Sequence, residues 1–139
     1  MFEKILVAVD GSAQSIKAAS TAGDLARSME ADLIVVTTYE PIHSYKGQPY
    51  IQKEISERME WAEKAQKEAL KSIGNIPGEL EQEILEGPAA EAILKVVDAR
   101  GIDLVVMGTR GLGGLKGTLL GSQSQKVIRH APCAVMVVK

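Results

Sequence analysis

The chain has little of several features that would assign it to common functional classes. Its 139 residues include one cysteine, Cys133, which excludes an internal disulfide and a metal cluster built on several thiolates. One Phe, one Trp and three Tyr are too few to favour binding of single-stranded nucleic acid by base stacking. The net charge of −2 gives no basic footprint for DNA, RNA or an anionic membrane.

Long apolar runs are also missing. No run approaches the roughly 20 residues of a membrane span, and the first one, residues 5–9, is too short for the apolar core of a signal peptide. We therefore expect a cytoplasmic protein that consists of one domain, residues 1–139. Cys133 follows Pro132 at the start of a final apolar run, where a buried structural thiol is expected.

Strand-like and helix-like patterns alternate along the chain. Continuous apolar runs, typical of strands covered on both faces, lie at residues 5–9, 33–38, 104–107 and 134–138. Residues 80–84 alternate instead, which indicates a strand with one wet face near a sheet edge. Four segments with helical spacing separate these strands. The predicted fold is α/β, a single-domain, open, doubly wound parallel sheet of five strands with four helices.

The second helix is predicted to be long and to end before Gly74. Pro41, Gly47 and Pro49 indicate a loop over residues 40–50, just before it. The predicted apolar face of the helix consists of Ile51, Ile55, Met59, Ala62, Ala69 and Ile73.

Two unusual loops follow the first and fourth strands. In an open α/β sheet, ligands bind beyond the carboxyl ends of the strands, where the strand order reverses. With the order 3-2-1-4-5, that point lies between Asp10-Gly11 and the segment Gly108-Thr109-Arg110-Gly111. The second loop is glycine-rich and runs into Ser122 and Ser124 at the start of a helix. Glycines leave the backbone N–H groups accessible, and these groups, together with a helix N-terminus, favour an anion. The expected ligand is therefore a nucleotide or phosphate.

Two common phosphate loops do not fit this stretch. The P-loop string G-x-x-x-x-G-K-[ST] is absent from the sequence. The dinucleotide pattern G-x-G-x-x-G starts at Gly111-Leu112-Gly113, but Lys116 occupies its third glycine position. What remains is the spacing of Gly108, Gly111 and Gly121-Ser122.

That spacing resembles the nucleotide-binding branch of the universal stress protein family. The resemblance extends over the whole chain, from the first strand with its Asp-Gly-Ser ending to the final apolar run. Its further segments are residues 87–94, Gly-Pro-Ala-Ala-Glu-Ala-Ile-Leu, then residues 103–111 and residues 130–138. It implies a fold like that of the adenine nucleotide alpha hydrolases.

The resemblance implies that the ligand is ATP, with AMP or ADP as alternatives. Asp10 would hydrogen-bond the ribose hydroxyls. The adenine pocket would be lined by Ala8, Val9, Thr38 and Met107. The ribose and α-phosphate would meet Gly108, Arg110 and Gly111. The β- and γ-phosphates would be held by Gly121, Ser122, Gln123 and Ser124.

Two of these positions depart from the family pattern. Thr38 stands where Val is common, and Gln123 stands where a small apolar residue is common. A polar adenine contact is expected at the first, and an additional donor or a ribose contact at the second.

Structural roles for the same residues remain open from sequence alone. Asp10 can cap a helix or start a turn, and Lys116 can be a solvated side chain. Trp61 is expected in packing or at an interface, and neither His43 nor His130 is expected to bind a metal.

Three classes of function compete. The first is a regulator of stress response or energy state that binds an adenine nucleotide. The second is a slow ATPase or phosphotransferase, for which no second carboxylate or other water-orienting group stands out. The third is a nucleotide-free interaction module. Mg²⁺ or Mn²⁺ is expected only through the phosphates, and the resemblance implies a homodimer joined through residues 134–138.

Overall fold

The chain alternates strictly between strands and helices in the computed structural model, which describes residues 1–42, 47–109 and 120–139. The elements are β1 (Lys4–Ala8), α1 (Ala13–Met29), β2 (Asp32–Tyr39), α2 (Gln48–Ile73), β3 (Leu80–Glu86), α3 (Ala89–Arg100), β4 (Leu104–Gly108), α4 (Ser122–His130) and β5 (Ala134–Val138). All five strands pair in parallel, in the order β3-β2-β1-β4-β5. The predicted fold class and strand order are confirmed.

Two apolar layers cover the sheet because the central strands point alternate side chains to opposite faces. Ile5, Val7 and Val9 belong to the layer packed against α1 and α2. Leu6 and Ala8 belong to the layer packed against α3 and α4. Every residue of β4 is buried, which agrees with its continuous apolar run.

The chain turns sharply between β1 and α1. Ser12 caps α1 by accepting a hydrogen bond from the Ser15 N–H at 3.2 Å. Gly11 has φ +84°, a left-handed conformation that side chains rarely adopt, and an added Cβ would lie 3.5 Å from Ala65. The Asp-Gly-Ser sequence therefore directs α1 back over the sheet and places Asp10 at the carboxyl end of β1.

The start of α2 differs from the sequence-based prediction. The helix begins at Gln48, so residues 48–50, assigned above to the loop, are helical. Pro49 does not oppose this, since a proline in the first turn has no N–H that the helix needs and its φ suits the helix.

The predicted apolar face of α2 is buried only in its second half. The buried residues begin at Ala62 and end at Ile73, whereas Ile55 is 39% exposed. The 26 residues of α2 span about 39 Å, whereas the eight residues of β2 span about 26 Å. The first half of α2 therefore extends beyond the carboxyl edge of the sheet, and we call residues 48–61 the α2 overhang.

The two edge strands differ in character. β3 is polar and mostly exposed over residues 80–82, as its alternating pattern predicts for an edge. β5 is apolar, and Val135 to Val138 are only half-buried. The expectation that β5 is covered on both faces is therefore met only in part.

Candidate functional site

A cavity of about 590 Å³ opens at the carboxyl edge of the sheet. The strand order reverses here, because β1 pairs with β2 on one side and with β4 on the other. The cavity lining comprises Asp10, Thr38, Tyr39, Glu40, Pro41, Arg58, Trp61, Gly87, Pro88, Ala89 and Gln123. This cavity thus lies at the edge where open α/β sheets bind ligands.

Asp10 lies in this cavity and also has a structural role. Its Oδ1 accepts a hydrogen bond from the Ser12 N–H at 2.9 Å, and its own N–H donates to Ser15 Oγ at 3.2 Å. These bonds fix the carboxylate at the end of β1. A carboxylate has about four acceptor positions, so the turn and a contact with ligand hydroxyls are compatible.

The four residues assigned by resemblance to the adenine pocket occupy different places. Thr38 lines the cavity. Ala8 and Met107 belong to the core on the α3 and α4 side, and Val9 belongs to the core on the α1 and α2 side. Ala8 is 4% exposed, Met107 1% and Val9 0%, so these side chains are packed in the two core layers and do not line the cavity.

Gly108 has a packing role at the end of β4. A Cβ built on it would lie 2.9 Å from the backbone carbon of Gln14, in the first turn of α1. This distance is shorter than real Cβ contacts, so only glycine lets α1 approach β4 this closely. The Gly108 carbonyl accepts a hydrogen bond from Ser124 Oγ at 3.3 Å, which links β4 to α4.

The N-terminus of α4 begins at a glycine, which has no side chain to cap the helix. The Gly121 N–H donates to the Thr109 carbonyl at 2.9 Å and is already used within the protein. Gly121 is the N-cap of α4 and provides no side-chain cap. The first turn, with exposed Ser122 and buried Ser124, therefore directs N–H groups outward where an anion is favoured.

Gln123 joins two helices across the cavity. Its Oε1 accepts a hydrogen bond from the Ala90 N–H at 2.9 Å, in the first turn of α3. An amide nitrogen cannot accept that bond, so the carbonyl oxygen must face α3. The contact orients the side chain, a direction that sequence alone leaves undetermined.

Some predicted positions lie outside the described residues. They are Arg110, Gly111, Lys116 and His43.

Sequence reasoning missed the wall that the α2 overhang provides. Arg58 and Trp61, three residues apart on one helical face, both line the cavity. Arg58 Nη1 donates to the carbonyls of Glu40 and of Pro41, the second at 3.1 Å. The available signals were the single Trp and an Arg at i,i+3 spacing, but the length of the overhang was not apparent.

Cys133 was expected to be a buried thiol, and in the structure it is only half-buried. Desolvation, with the negative charges of Asp103 and Asp98, raises the pKa of the Cys133 thiol and keeps it protonated at neutral pH.

In the described part of the chain, no three His, Cys, Asp or Glu residues are grouped so that they could hold a metal ion. No helix among these residues is long and apolar enough to span a bilayer.

Together, the strand order and the cavity define an open α/β protein with a cavity at its topological switch point. The model of the universal stress protein family matches residues 1–139. A universal stress protein of Thermus aquaticus is 45% identical over 139 residues, covering 100% of both chains. The chain belongs to the universal stress protein family.

Solved structures agree with this assignment. Universal stress protein UspA from Lactobacillus plantarum has a TM-score of 0.88 at 25% identity, covering 99% of this chain and 98% of its own. A universal stress protein solved in complex with cAMP has a TM-score of 0.72 at 27% identity, covering 99% and 97%. A family member from Arabidopsis thaliana with AMP bound, at 20% identity, 99% and 91% coverage and a TM-score of 0.66, supports the fold alone.

The Gln123 contact predicts a measurable effect on stability. Replacing Gln123 with Ala leaves the Ala90 N–H, on a residue 1% exposed, without its acceptor. We expect the free energy of unfolding to fall by about 1–3 kcal/mol, as measured by urea denaturation. Gln123→Glu retains an acceptor near a helix N-terminus and should lose less.

Gln125→Ala is the matched control. Gln125 is exposed on the same helix, and its Nε2 donates to the Leu120 carbonyl at 3.3 Å. Equal losses for Gln123→Ala and Gln125→Ala would contradict a specific role for the Ala90 contact.

Proposed function

We propose that this protein binds an adenine nucleotide at the carboxyl edge of the sheet and acts as a regulator of stress response or energy state. ATP is the first candidate ligand, and AMP and ADP are the alternatives. The observation that carries the proposal is one cavity that joins Asp10, Thr38 and Gln123 beside the first turn of α4, whose N-cap is a glycine.

The two ends of the cavity suit the two ends of a nucleotide. At the β1 end, the Asp10 carboxylate is an acceptor matched to neighbouring ribose hydroxyls. At the α4 end, the backbone N–H groups of the first turn and the helix dipole favour phosphate. Arg110 and Gly111 retain the roles near the α-phosphate that the family resemblance implies. The relative bound to cAMP, at 27% identity, supports an adenine nucleotide as the ligand class.

The proposal assigns the phosphates to the side chains and N–H groups of α4, with Gly121 in a supporting role. Ser122 is exposed at the first helical position, and Gln123 is held by α3. The Gly121 N–H is used within the protein. Mg²⁺ or Mn²⁺ would enter with the phosphates, whose oxygen atoms are ligands that such hard cations prefer.

The alternative of a slow ATPase or phosphotransferase belongs to the same site. Asp10 and Glu40 both line the cavity, but fast hydrolysis also needs a positioned water and stabilisation of transition-state charge. We propose binding as the primary activity. The cytoplasmic location stays a prediction from the sequence.

Calorimetric titration with ATP, ADP and AMP tests the proposal. We expect saturable heat for at least one of them and a matching rise in melting temperature. A ligand that binds only the native state at 100 times its Kd adds about 2.7 kcal/mol to stability. No heat and no thermal shift with any of the three would contradict the proposal, and turnover near 10 per second would favour the enzyme instead.

Ser122→Asp separates phosphate binding from folding in this test. A negative charge at the first position of α4 is compatible with the helix dipole but repels phosphate. We expect weaker ATP binding at unchanged stability. Asn75→Asp introduces the same charge in the turn before β3, on an exposed residue at the opposite edge of the sheet, and should bind ATP like the original protein.

We also propose a homodimer joined through β5. This apolar edge strand is half-exposed in the single chain, and unpaired edges are normally covered or paired. The Val138 carbonyl accepts the Thr109 N–H at 3.0 Å and thus faces β4. Val137, one residue earlier, therefore presents its backbone groups outward.

Val137→Lys should weaken the dimer, because a lysine on an edge strand opposes pairing. Light scattering after size exclusion should show a dimer for the original chain and a shift toward monomer for the variant. Gln82→Lys places the same charge on the other edge strand, β3, and should leave the dimer intact. A monomer for the original chain at high micromolar concentration would refute the assembly.

A further inference from the structure

The α2 overhang carries the most exposed large apolar side chain of the cavity lining. Trp61 is 45% exposed, and it is the only tryptophan of the chain. Its neighbours in the lining include Tyr39 and Pro41, both half-buried. Covering an exposed indole with a planar ring is favourable, because it removes apolar surface from water and allows the two rings to stack.

The strand side of the cavity offers much less surface. Ala8, Val9 and Met107 are at most 4% exposed and are absent from the lining, and Thr38 is 9% exposed. A base placed there would contact backbone and the Thr38 side chain. Among the described residues, the apolar area that a base could cover lies on the α2 side.

The position of Trp61 is held by the fold. Ala62 and Ala65, on the following turn, are buried against the sheet and fix the rotation of α2. Arg58, one turn earlier, is tied to the carbonyls of Glu40 and Pro41 and holds the end of β2 against the overhang. Both hydrogen bonds originate from Nη1, whereas a guanidinium carries five N–H donors.

We propose that the base of the bound nucleotide stacks on Trp61 at the α2 wall of the cavity, beside the Arg58 guanidinium. The inference rests on the proposed nucleotide-binding function and deepens it by identifying the element that recognises the base. Asp10 then meets the sugar, and the first turn of α4 meets the phosphate. The Arg58 guanidinium beside the indole adds a cation that can interact with the face of an aromatic base.

The test is a titration of the intact protein with AMP, followed by Trp61 emission and by calorimetry. Because Trp61 is the only tryptophan, its emission reports this position alone. We expect a saturable change with AMP and none with ribose 5-phosphate, which lacks the base. Free tryptophan titrated in parallel corrects for light absorbed by AMP.

Variants give the energetic measure. Base stacking on an aromatic side chain contributes about 1–3 kcal/mol, so Trp61→Leu should weaken AMP binding about 5- to 150-fold. Trp61→Phe should restore part of the affinity. Tyr50→Leu is the matched control, since Tyr50 is 57% exposed on the same overhang but is absent from the cavity lining. Unfolding curves of all variants verify that each is folded.

The outcomes separate this inference from the function on which it rests. AMP binding by calorimetry with unchanged Trp61 emission, and equal affinity for Trp61→Leu, would overturn the stacking position and leave nucleotide binding intact. Absence of heat with every nucleotide would overturn both. Equal losses for Trp61→Leu and Tyr50→Leu would also overturn it.

Discussion

The parallel pairing of β1 with β4 is the contact on which the rest of the structure depends. Ile5 pairs with Leu104 and Val7 with Val106, and all four side chains are almost fully buried. The pairing joins the half of the chain that contains β2 and β3 to the half that contains β5. Since α1 leaves β1 on one face while α3 and α4 cover the other, a crevice opens where these strands end.

The elements around the crevice divide the chemistry among them. The β1 turn places a carboxylate, the α4 N-terminus presents backbone donors, and the α2 overhang adds an indole and a guanidinium. Gln123 ties α4 to α3, so the rim of the crevice is held on both sides. In the proposed site, the sugar, the phosphate and the base each meet a different element of the fold.

Sequence patterns predicted the architecture well, because a strand that is buried on both faces has a continuous apolar sequence. The continuous apolar runs of β1, β2 and β4, and the alternating pattern of β3, predicted the correct strands, and the order taken for them agrees with the structure. Gly108 was predicted to lie near the ribose and α-phosphate, and the structure adds a packing role, since a Cβ there would meet the backbone of Gln14. A glycine pattern alone does not show whether the close approach that it permits is made by a neighbouring helix or by a ligand.

The α2 overhang and the Gln123 orientation could not be predicted from the sequence. Helical periodicity marks a face but does not show where the sheet beneath it ends, so Ile55 resembled a core residue and Trp61 a packing residue. The orientation of Gln123 depends on the Ala90 N–H, 33 residues away in the chain. Positions such as these are set by tertiary packing, which spacing within one element does not encode.

Backbone amide chemical-shift mapping during an ATP titration tests the central claim most directly. If the carboxyl edge is an adenine-nucleotide site, the largest shift changes will fall on Asp10, Thr38 and residues 122–124. Amides at the opposite edge, such as those of Asn75 and Gly101, will stay unchanged. Changes concentrated at that opposite edge, or no change at saturating ATP, would contradict the account.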